Sequence, residues 1–365
     1  MTNLRTLAPV LLLAAALAMP AGAAVSRDPR PADLAFPRYQ HVIVIVEENE
    51  GFSAIIGNAN APSFTALARD YGNATSFFAE THPSEPNYVA MIGGDTFGIQ
   101  DDDAFYCKPG MSDPHCAGSE RPGYVDHTIA GPNLASQLQQ AGISWRGYFG
   151  AYDPTRPRAI FSGATASEPA ALYASKHNPF LNFSGLRATL ARHIAPLSRL
   201  ERDLASGDLP AFAFVVPDQC DDMHGLRGPN VPADCRSANV QRRIARGDRV
   251  AKRLVGEIEA SPIWRAAANA AIVITWDESD DSERAFGAQG CCGSGPSRRA
   301  NQGGGRIPTI VITNHGPRHR IDATPYNHYA LLRSIDDAFG IYAYPNGAAD
   351  WRDGVRPMTP LFAVK

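Results

Sequence analysis

An α/β fold with a mostly parallel central sheet and helices on both faces is what this 365-residue sequence predicts. Three observations lead there. Four apolar runs are continuous rather than alternating: His41 to Val46, Ala211 to Val216, Ala270 to Thr275 and Ile307 to Thr313. Strands buried on both faces of a parallel sheet have that pattern. Helical periodicities lie between the runs, as in alternating α/β chains. Each run also ends in polar residues, and open parallel sheets collect ligands beyond the carboxyl ends of their strands.

The elements follow in order. Arg5, the apolar stretch Leu7 to Met19 and Ala21-Gly22-Ala23 have the charge, length and small-residue site of a secretory signal peptide. Residues 1–23 are therefore assigned to it, and 24–365 to a single domain, periplasmic or secreted. No later stretch reaches the roughly 18 apolar residues of a membrane span. The first strand exits into Glu47-Glu48-Asn49, and helical patterns follow at 63–71 and 85–92. The 101–121 segment, polar with two cysteines, reads as a disulfide-pinned surface loop. Further helices are expected at 133–140, 197–205, 244–259 and 329–339. The 211–216 strand exits into Pro217-Asp218-Gln219-Cys220-Asp221-Asp222-Met223-His224. The 270–275 strand exits into Trp276-Asp277-Glu278, and the last into Asn314-His315. The four exits are expected at one edge of the sheet. The glycine-rich 287–306 stretch reads as a mobile lid or a surface loop; it lacks the phosphate-loop pattern.

Composition narrows the class. A net charge of −3 gives nucleic acid no support as a partner. Six cysteines in an exported chain suggest disulfides. Cys107 with Cys116 and Cys220 with Cys235 would close short loops; Cys291 and Cys292 are adjacent and can bridge or stay apart. The sequence does not choose among the pairings. With no C-x-x-C pair, a zinc cluster is disfavoured.

The chemistry centres on Thr81-His82-Pro83-Ser84-Glu85-Pro86-Asn87-Tyr88. Ser84 is expected to cap a proline-started helix, whose N–H groups favour negative charge nearby. That geometry suits an alkoxide or a phosphate. Glu48, Asn49, Asp277 and Glu278 supply oxygen donors, and so many carboxylates around one hydroxyl call for a cation between them. A divalent ion would also lower the hydroxyl's pKa. His224 and His328 can hold a phosphoryl oxygen, protonate a leaving group or ligate a second metal. Together these groups fit phosphoryl transfer through a phospho-serine, then attack of water. Plain alternatives stand beside each: a turn cap for Glu48 and Asn49, a solvated strand end for Asp277-Glu278, a loop ion pair for His224, and a backbone-bonded helix start for His328. His82 and His315 read as structural or peripheral.

Five segments in register, 46–52, 83–88, 217–224, 274–278 and 326–336, resemble the bacterial phosphoesterase family of secreted acid phosphatases and phospholipases C. The resemblance covers roughly residues 38 to 345 and implies an alkaline-phosphatase-like fold. It implies that Glu48 and Asn49 bind metal and phosphate, and that Ser84 is both nucleophile and metal ligand. It further implies that Asp277 and Glu278 bind metal, and that His224 and His328 line the phosphate pocket. One departure matters: the phospholipase C branch resembles Thr followed by Pro-Asn-Arg, whereas this chain has Ser84 and Pro86-Asn87-Tyr88. It also lacks the long C-terminal extension of that branch, and looks more like the compact phosphatases, including those acting on phosphoinositides.

The expected function is thus an exported, metal-dependent acid phosphatase acting on phosphomonoesters, lipid phosphates among them. Mg²⁺, Ca²⁺ or Mn²⁺ suits the oxygen donors, with zinc an option nearer the histidines. Two alternatives remain open. A phospholipase C would need an apolar rim, for which the aromatic loops 105–124 and 161–183 are candidates. A non-catalytic binding protein would bind ligand without releasing phosphate.

Overall fold

The computed structural model describes residues 36–102, 126–156, 161–162, 172–280, 289–294 and 303–363. The expected signal peptide, the Cys107 and Cys116 pairing and the 105–124 rim lie outside the described residues.

One eight-stranded sheet organises the chain. Its strands are β1 (His41–Glu47), β2 (Gly72–Ala74), β3 (Trp145–Phe149), β4 (Ile194–Pro196), β5 (Phe212–Val216), β6 (Ala270–Trp276), β7 (Thr309–Thr313) and β8 (Arg320–Asp322). Their spatial order is β8-β2-β7-β6-β1-β5-β3-β4. Every pairing is parallel except the two made by β7. Helices flank the sheet. Pro62–Asp70 packs on Val240–Ala260, and Ser84–Gly93 packs on His328–Phe339. The fold is α/β and mostly parallel, as the continuous apolar runs predict. All of β5, β6 and β7, and β1 from Val42 on, are buried.

Two expectations about the last strand are corrected. The 307–313 run is split at Pro308, which has no N–H for a ladder. Arg306–Ile307 pairs with Phe77–Phe78 in a small sheet, and only Thr309–Thr313 joins the large one. That strand is antiparallel to its neighbours, so its exit lies at the opposite edge. Asn314 N donates to Ala270 O (3.0 Å) at the start of β6, and its side chain donates to the carbonyls of Trp264 and Ala267. His315 is exposed there. Three exits, not four, therefore share the edge that matters. The strands missed in the sequence, β2, β3, β4 and β8, are short or interrupted by Arg146 and Gly147, and carry no continuous apolar signal.

The small sheet bears directly on the site. Phe77–Phe78 pairs with Tyr326–Asn327 as well as with Arg306–Ile307, placing the approach to Ser84 beside the approach to His328. The described part of the glycine-rich stretch packs here. Gly304 N donates to Ala79 O (2.9 Å), and Gly304 O accepts from Ser279 N (2.8 Å). A Cβ on Gly304 would stand 2.2 Å from Thr81 O, so only glycine fits this approach. Cys220 is bonded to Cys235, and Cys291 to Cys292. The carbonyls of Cys291 and Cys292 accept from Asn327 Nδ2 (3.2 and 3.5 Å), the residue that caps the His328–Phe339 helix.

Gly304→Ala should lower stability by about 1–3 kcal/mol, because the added methyl meets backbone three residues before Ser84. Gly256→Ala, in a helix with nothing within 4 Å of the new Cβ, should instead raise it by about 0.5–1 kcal/mol. Thermal or urea unfolding of the two variants checks the opposite signs.

Candidate active site

Three parallel strands end side by side, and backbone bonds tie their exits together. Glu48 N, just beyond β1, donates to Asp222 O (2.8 Å) beyond β5. Asp277 N, beyond β6, donates to Glu47 O (3.1 Å). Asn49 turns the chain with φ 60°, a left-handed conformation that Asn tolerates better than most residues. The turn points its N–H at Asp277 Oδ1 (3.0 Å) and its side-chain amide at Glu48 Oε2 (2.8 Å).

Ser84 enters from the neighbouring helix. The expectation that it caps that helix is corrected: Pro83 holds the N-cap position and Ser84 is the first helical residue. Its hydroxyl is thereby freed from capping. Ser84 Oγ lies 3.3 Å from Glu48 Oε2 and 3.2 Å from Glu278 Oε1, so its proton has two carboxylate acceptors from different strand tips. Asn87 ties down the approach: its Oδ1 accepts from Glu80 N and Thr81 N, and its Nδ2 donates to Thr81 O and Pro83 O. Asp102 Oδ1 accepts the N–H of Glu85 (3.0 Å), filling the capping role at the helix start.

Histidines stand on the other side of Glu48. His177 Nε2 is 3.0 Å from Glu48 Oε1, and its ring stacks on Tyr88. His224 lies edge-on to His177, with Nδ1 on Gly225 O (2.8 Å) and Nε2 on Lys176 Nζ (3.3 Å). Glu48, His177 and His224 form a group able to hold a metal ion, with donor atoms all within 4.8 Å of one another. His328 is brought to the strand tip from behind. Its Nε2 is engaged by Trp276 O (2.9 Å), one residue before Asp277, and its backbone N–H donates to Glu80 Oε1 (3.0 Å). Its ring touches the β6 tip through backbone, the plain alternative foreseen for it.

Burial governs the electrostatics. Glu48, Asp222 and Asp277 are fully buried, and Glu278 nearly so. Burial, then Asp277 and Asp222, push Glu48 well above the usual carboxylate range. Burial, then Glu278, raise Asp277 to about 7. Asp222 is raised likewise, chiefly by burial. Burial and Lys176 lower His224 to about 3 and hold His177 well below its ordinary value; burial lowers His328 to about 4. Lys176 rises despite burial, which opposes it, because Asp102 and Glu48 hold the ammonium charged. Asp277 Oδ2 is buried with no hydrogen-bond donor. A cation would offset such an acid cluster, and its hard oxygens fit one.

The match to known proteins agrees with this geometry. The sequence profile of the Phosphoesterase family matches residues 58–342. The chain belongs to the phosphoesterase family. A phosphatidylinositol-3-phosphatase of Mycobacterium tuberculosis is 31% identical over 308 residues, 84% of this chain and 79% of that protein. An acid phosphatase of Aspergillus fumigatus is 34% identical over 155 residues, 41% of this chain and 29% of its own. A probable acid phosphatase of Kluyveromyces lactis matches 51% of this chain and 39% of its own, so the chain spans well under half of these fungal relatives. Among solved structures, one from Vibrio parahaemolyticus, described as a protein in the alkaline phosphatase superfamily, superposes with a TM-score of 0.52. It is 13% identical and covers 88% of this chain and 74% of that one. The phosphoesterase fold here is alkaline-phosphatase-like.

Sequence reasoning singled out Glu48, Asn49, Ser84, His224, Asp277, Glu278 and His328; the structure brings the first six to one edge of the sheet, while the His328 ring meets the carbonyl of Trp276 behind it. It missed Lys176 and His177. Both sit on a short 3-10 turn, Ser175–His177, inside a stretch read only for its aromatics. The one signal was a Lys-His pair set before Asn178-Pro179 in an otherwise apolar loop. His82, read as peripheral, contacts Glu278 Oε2 through Nδ1. The 161–183 aromatics do not form a rim where described: Tyr173, Phe180 and Phe183 are core residues.

With divalent ions chelated, burial and the neighbouring Glu278 raise Asp277 to about 7, against 3.8 for a freely exposed aspartate. A raised folded pKa gives stability that is complete below the unfolded value and is lost as pH climbs through the folded one. The thermal midpoint of the chelated protein should therefore decrease as pH rises from about 4 to about 7, and Asp277→Asn should flatten that decrease. A slope unchanged by the substitution would refute this assignment.

Proposed function

We propose that this phosphoesterase is an exported, divalent-metal-dependent phosphatase that hydrolyses phosphomonoesters through a phospho-serine on Ser84. The observation that carries the proposal is the Ser84 hydroxyl, within 3.3 Å of carboxylates delivered by two different strands. Glu48, Asn49, Ser84, Asp277 and Glu278 are the residues that would hold the ion. When bound, a hard ion such as Mg²⁺, Ca²⁺ or Mn²⁺ would offset the acids and lower the hydroxyl's pKa.

The chain's own groups account for the remainder. The Ser84 proton passes to Glu48 or Glu278 as the Oγ–P bond forms, and the bond from phosphorus to the ester oxygen breaks, that oxygen taking up a proton from solvent water to leave as the alcohol. Asn49 holds Glu48 and Asp277 in register through its two donors. His224 donates from Nδ1 to Gly225 O and turns its Nε2 lone pair to Lys176, so it acts as a neutral imidazole that orients that ammonium. His328 positions the β6 tip through the Trp276 carbonyl. Water then attacks phosphorus, the Ser84–phosphate bond breaks, and inorganic phosphate leaves.

Support for a phosphomonoester, and for phosphoinositides within that class, comes from relatives named phosphatidylinositol-3-phosphatase and acid phosphatase. The buried aromatics at 173–183 give a phospholipase C rim no support among the described residues. No helix among the described residues is long and apolar enough to cross a membrane. Export rests on the charged, apolar and small-residue pattern of residues 1–23.

Ser84→Ala should cut turnover of p-nitrophenyl phosphate by about 10³-fold or more with the fold intact by circular dichroism. Wild-type rates in that variant would remove the nucleophile assignment. Chelation should abolish phosphate release, and re-added Mg²⁺, Ca²⁺ or Mn²⁺ should restore it; activity indifferent to chelator would rule out the metal. Phosphatidylinositol 3-phosphate should release phosphate faster than phosphatidylcholine releases its headgroup, and the reverse order would favour the diesterase.

A further inference from the structure

Lys176 is a charged side chain in the pocket to which the reaction above gives no part. Among the described residues its ammonium has two partners: Asp102 Oδ2 at 3.0 Å and His224 Nε2 at 3.3 Å. His224 donates from Nδ1 to Gly225 O, so Nε2 accepts from the lysine. An ammonium has three donors, and these contacts use two. With 16% of the side chain exposed, the third can meet a ligand entering from solvent.

Two routes of contacts link that donor to the nucleophile. One route of contacts runs from Ser84 Oγ to Glu48, from Glu48 Oε1 to His177, and along the chain to Lys176. A second runs from the next residue, Glu85 N, to Asp102 Oδ1, and from Asp102 Oδ2 to Lys176 Nζ. The two routes close a circuit with Ser84 at one side and Lys176 at the other. The walls between are acidic: Glu48, Asp277 and Glu278 are buried at the strand tips. A phosphate dianion entering such a pocket needs positive charge on the side away from the acid-bound ion. Lys176 lies on the histidine side of Glu48, the side opposite the oxygen that faces Ser84.

We propose that Lys176 is a further catalytic residue, whose ammonium holds a non-bridging phosphoryl oxygen on the histidine side of the pocket. Asp102 is the positioning residue that aims it while capping the Ser84 helix. The proposal rests on the phosphatase reading above and extends it to substrate preference. A terminal phosphate offers this ammonium more negative charge than a diester, so Lys176 favours monoesters. Lys acts here as a point charge, the role it plays for phosphates generally.

The test uses the metal-loaded full-length protein. In Lys176→Met, kcat/KM for p-nitrophenyl phosphate should fall about 10²–10³-fold, as when one transition-state donor is removed. Affinity for inorganic phosphate, measured by calorimetry, should fall at least ~10-fold, which is about 1.4 kcal/mol. Bound metal per chain should stay at the wild-type value, and Lys176→Arg should recover part of both losses. Phosphate affinity and kcat/KM within about threefold of wild type would overturn the proposal. So would an extra metal ion bound by Lys176→Met with activity kept, since the lysine would then merely occupy a cation site. If Lys176→Met does not fold, Asp102→Asn decides: weakened phosphate binding at unchanged metal content supports the proposal, and wild-type binding overturns it. A wild-type protein that binds phosphate but never releases it from any ester would instead defeat the phosphatase reading, leaving the binding role of Lys176 measurable.

Discussion

Glu48 is shared between two sets of partners, and the pocket depends on that sharing. One carboxylate oxygen faces Ser84 and the Asn49 amide; the other faces His177. The residue is fully buried and follows the central strand β1, whose neighbours β5 and β6 end at the same edge. A parallel arrangement thus delivers like charges to one place, and separate loops could not hold them so close. Their repulsion is the constraint to which everything nearby responds: the amide of Asn49, the ammonium of Lys176 and the oxygen-lined space that suits a hard cation.

The same burial separates the acids from the imidazoles. Glu48 and Asp277 are driven toward their protonated forms, and His177 and His224 toward neutrality, because a dry site penalises any charge lacking a partner. Neutral imidazoles beside a charged ammonium are the setting in which Lys176 is proposed to hold an anion. The acidic side, with the hydroxyl between two carboxylates, is where a proton can leave. Two chemically distinct halves therefore meet at Ser84.

Much of this was legible in the sequence, for a definite physical reason. Strands buried on both faces must be continuously apolar, so β1, β5 and β6 announce themselves, and the residues just after them are fixed at the sheet edge. Asp277 and Glu278 were readable from that rule alone. β7 obeys the same composition yet runs the other way, because apolar content records burial and carries no direction; Asn314 and His315 were thus sent to the wrong edge. His177 and Lys176 sit on a turn whose place is set by packing of Phe180 and Phe183, a long-range effect with no local periodicity. Ser84 was recognised by its neighbours, but its offset of one residue from the cap depends on Pro83 and on Asp102 far along the chain.

The bond between Cys220 and Cys235 closes a loop with a sequence separation of 15, and Asp222 and His224 lie inside it. Closing a loop of that size removes about 3 kcal/mol of entropy from the unfolded chain. Oxidation is therefore part of how this wall of the pocket is built. In a reducing cytosol the sheet would still have its apolar runs to assemble on, but the wall bearing His224 would keep the slack of an open chain until it met an oxidising compartment.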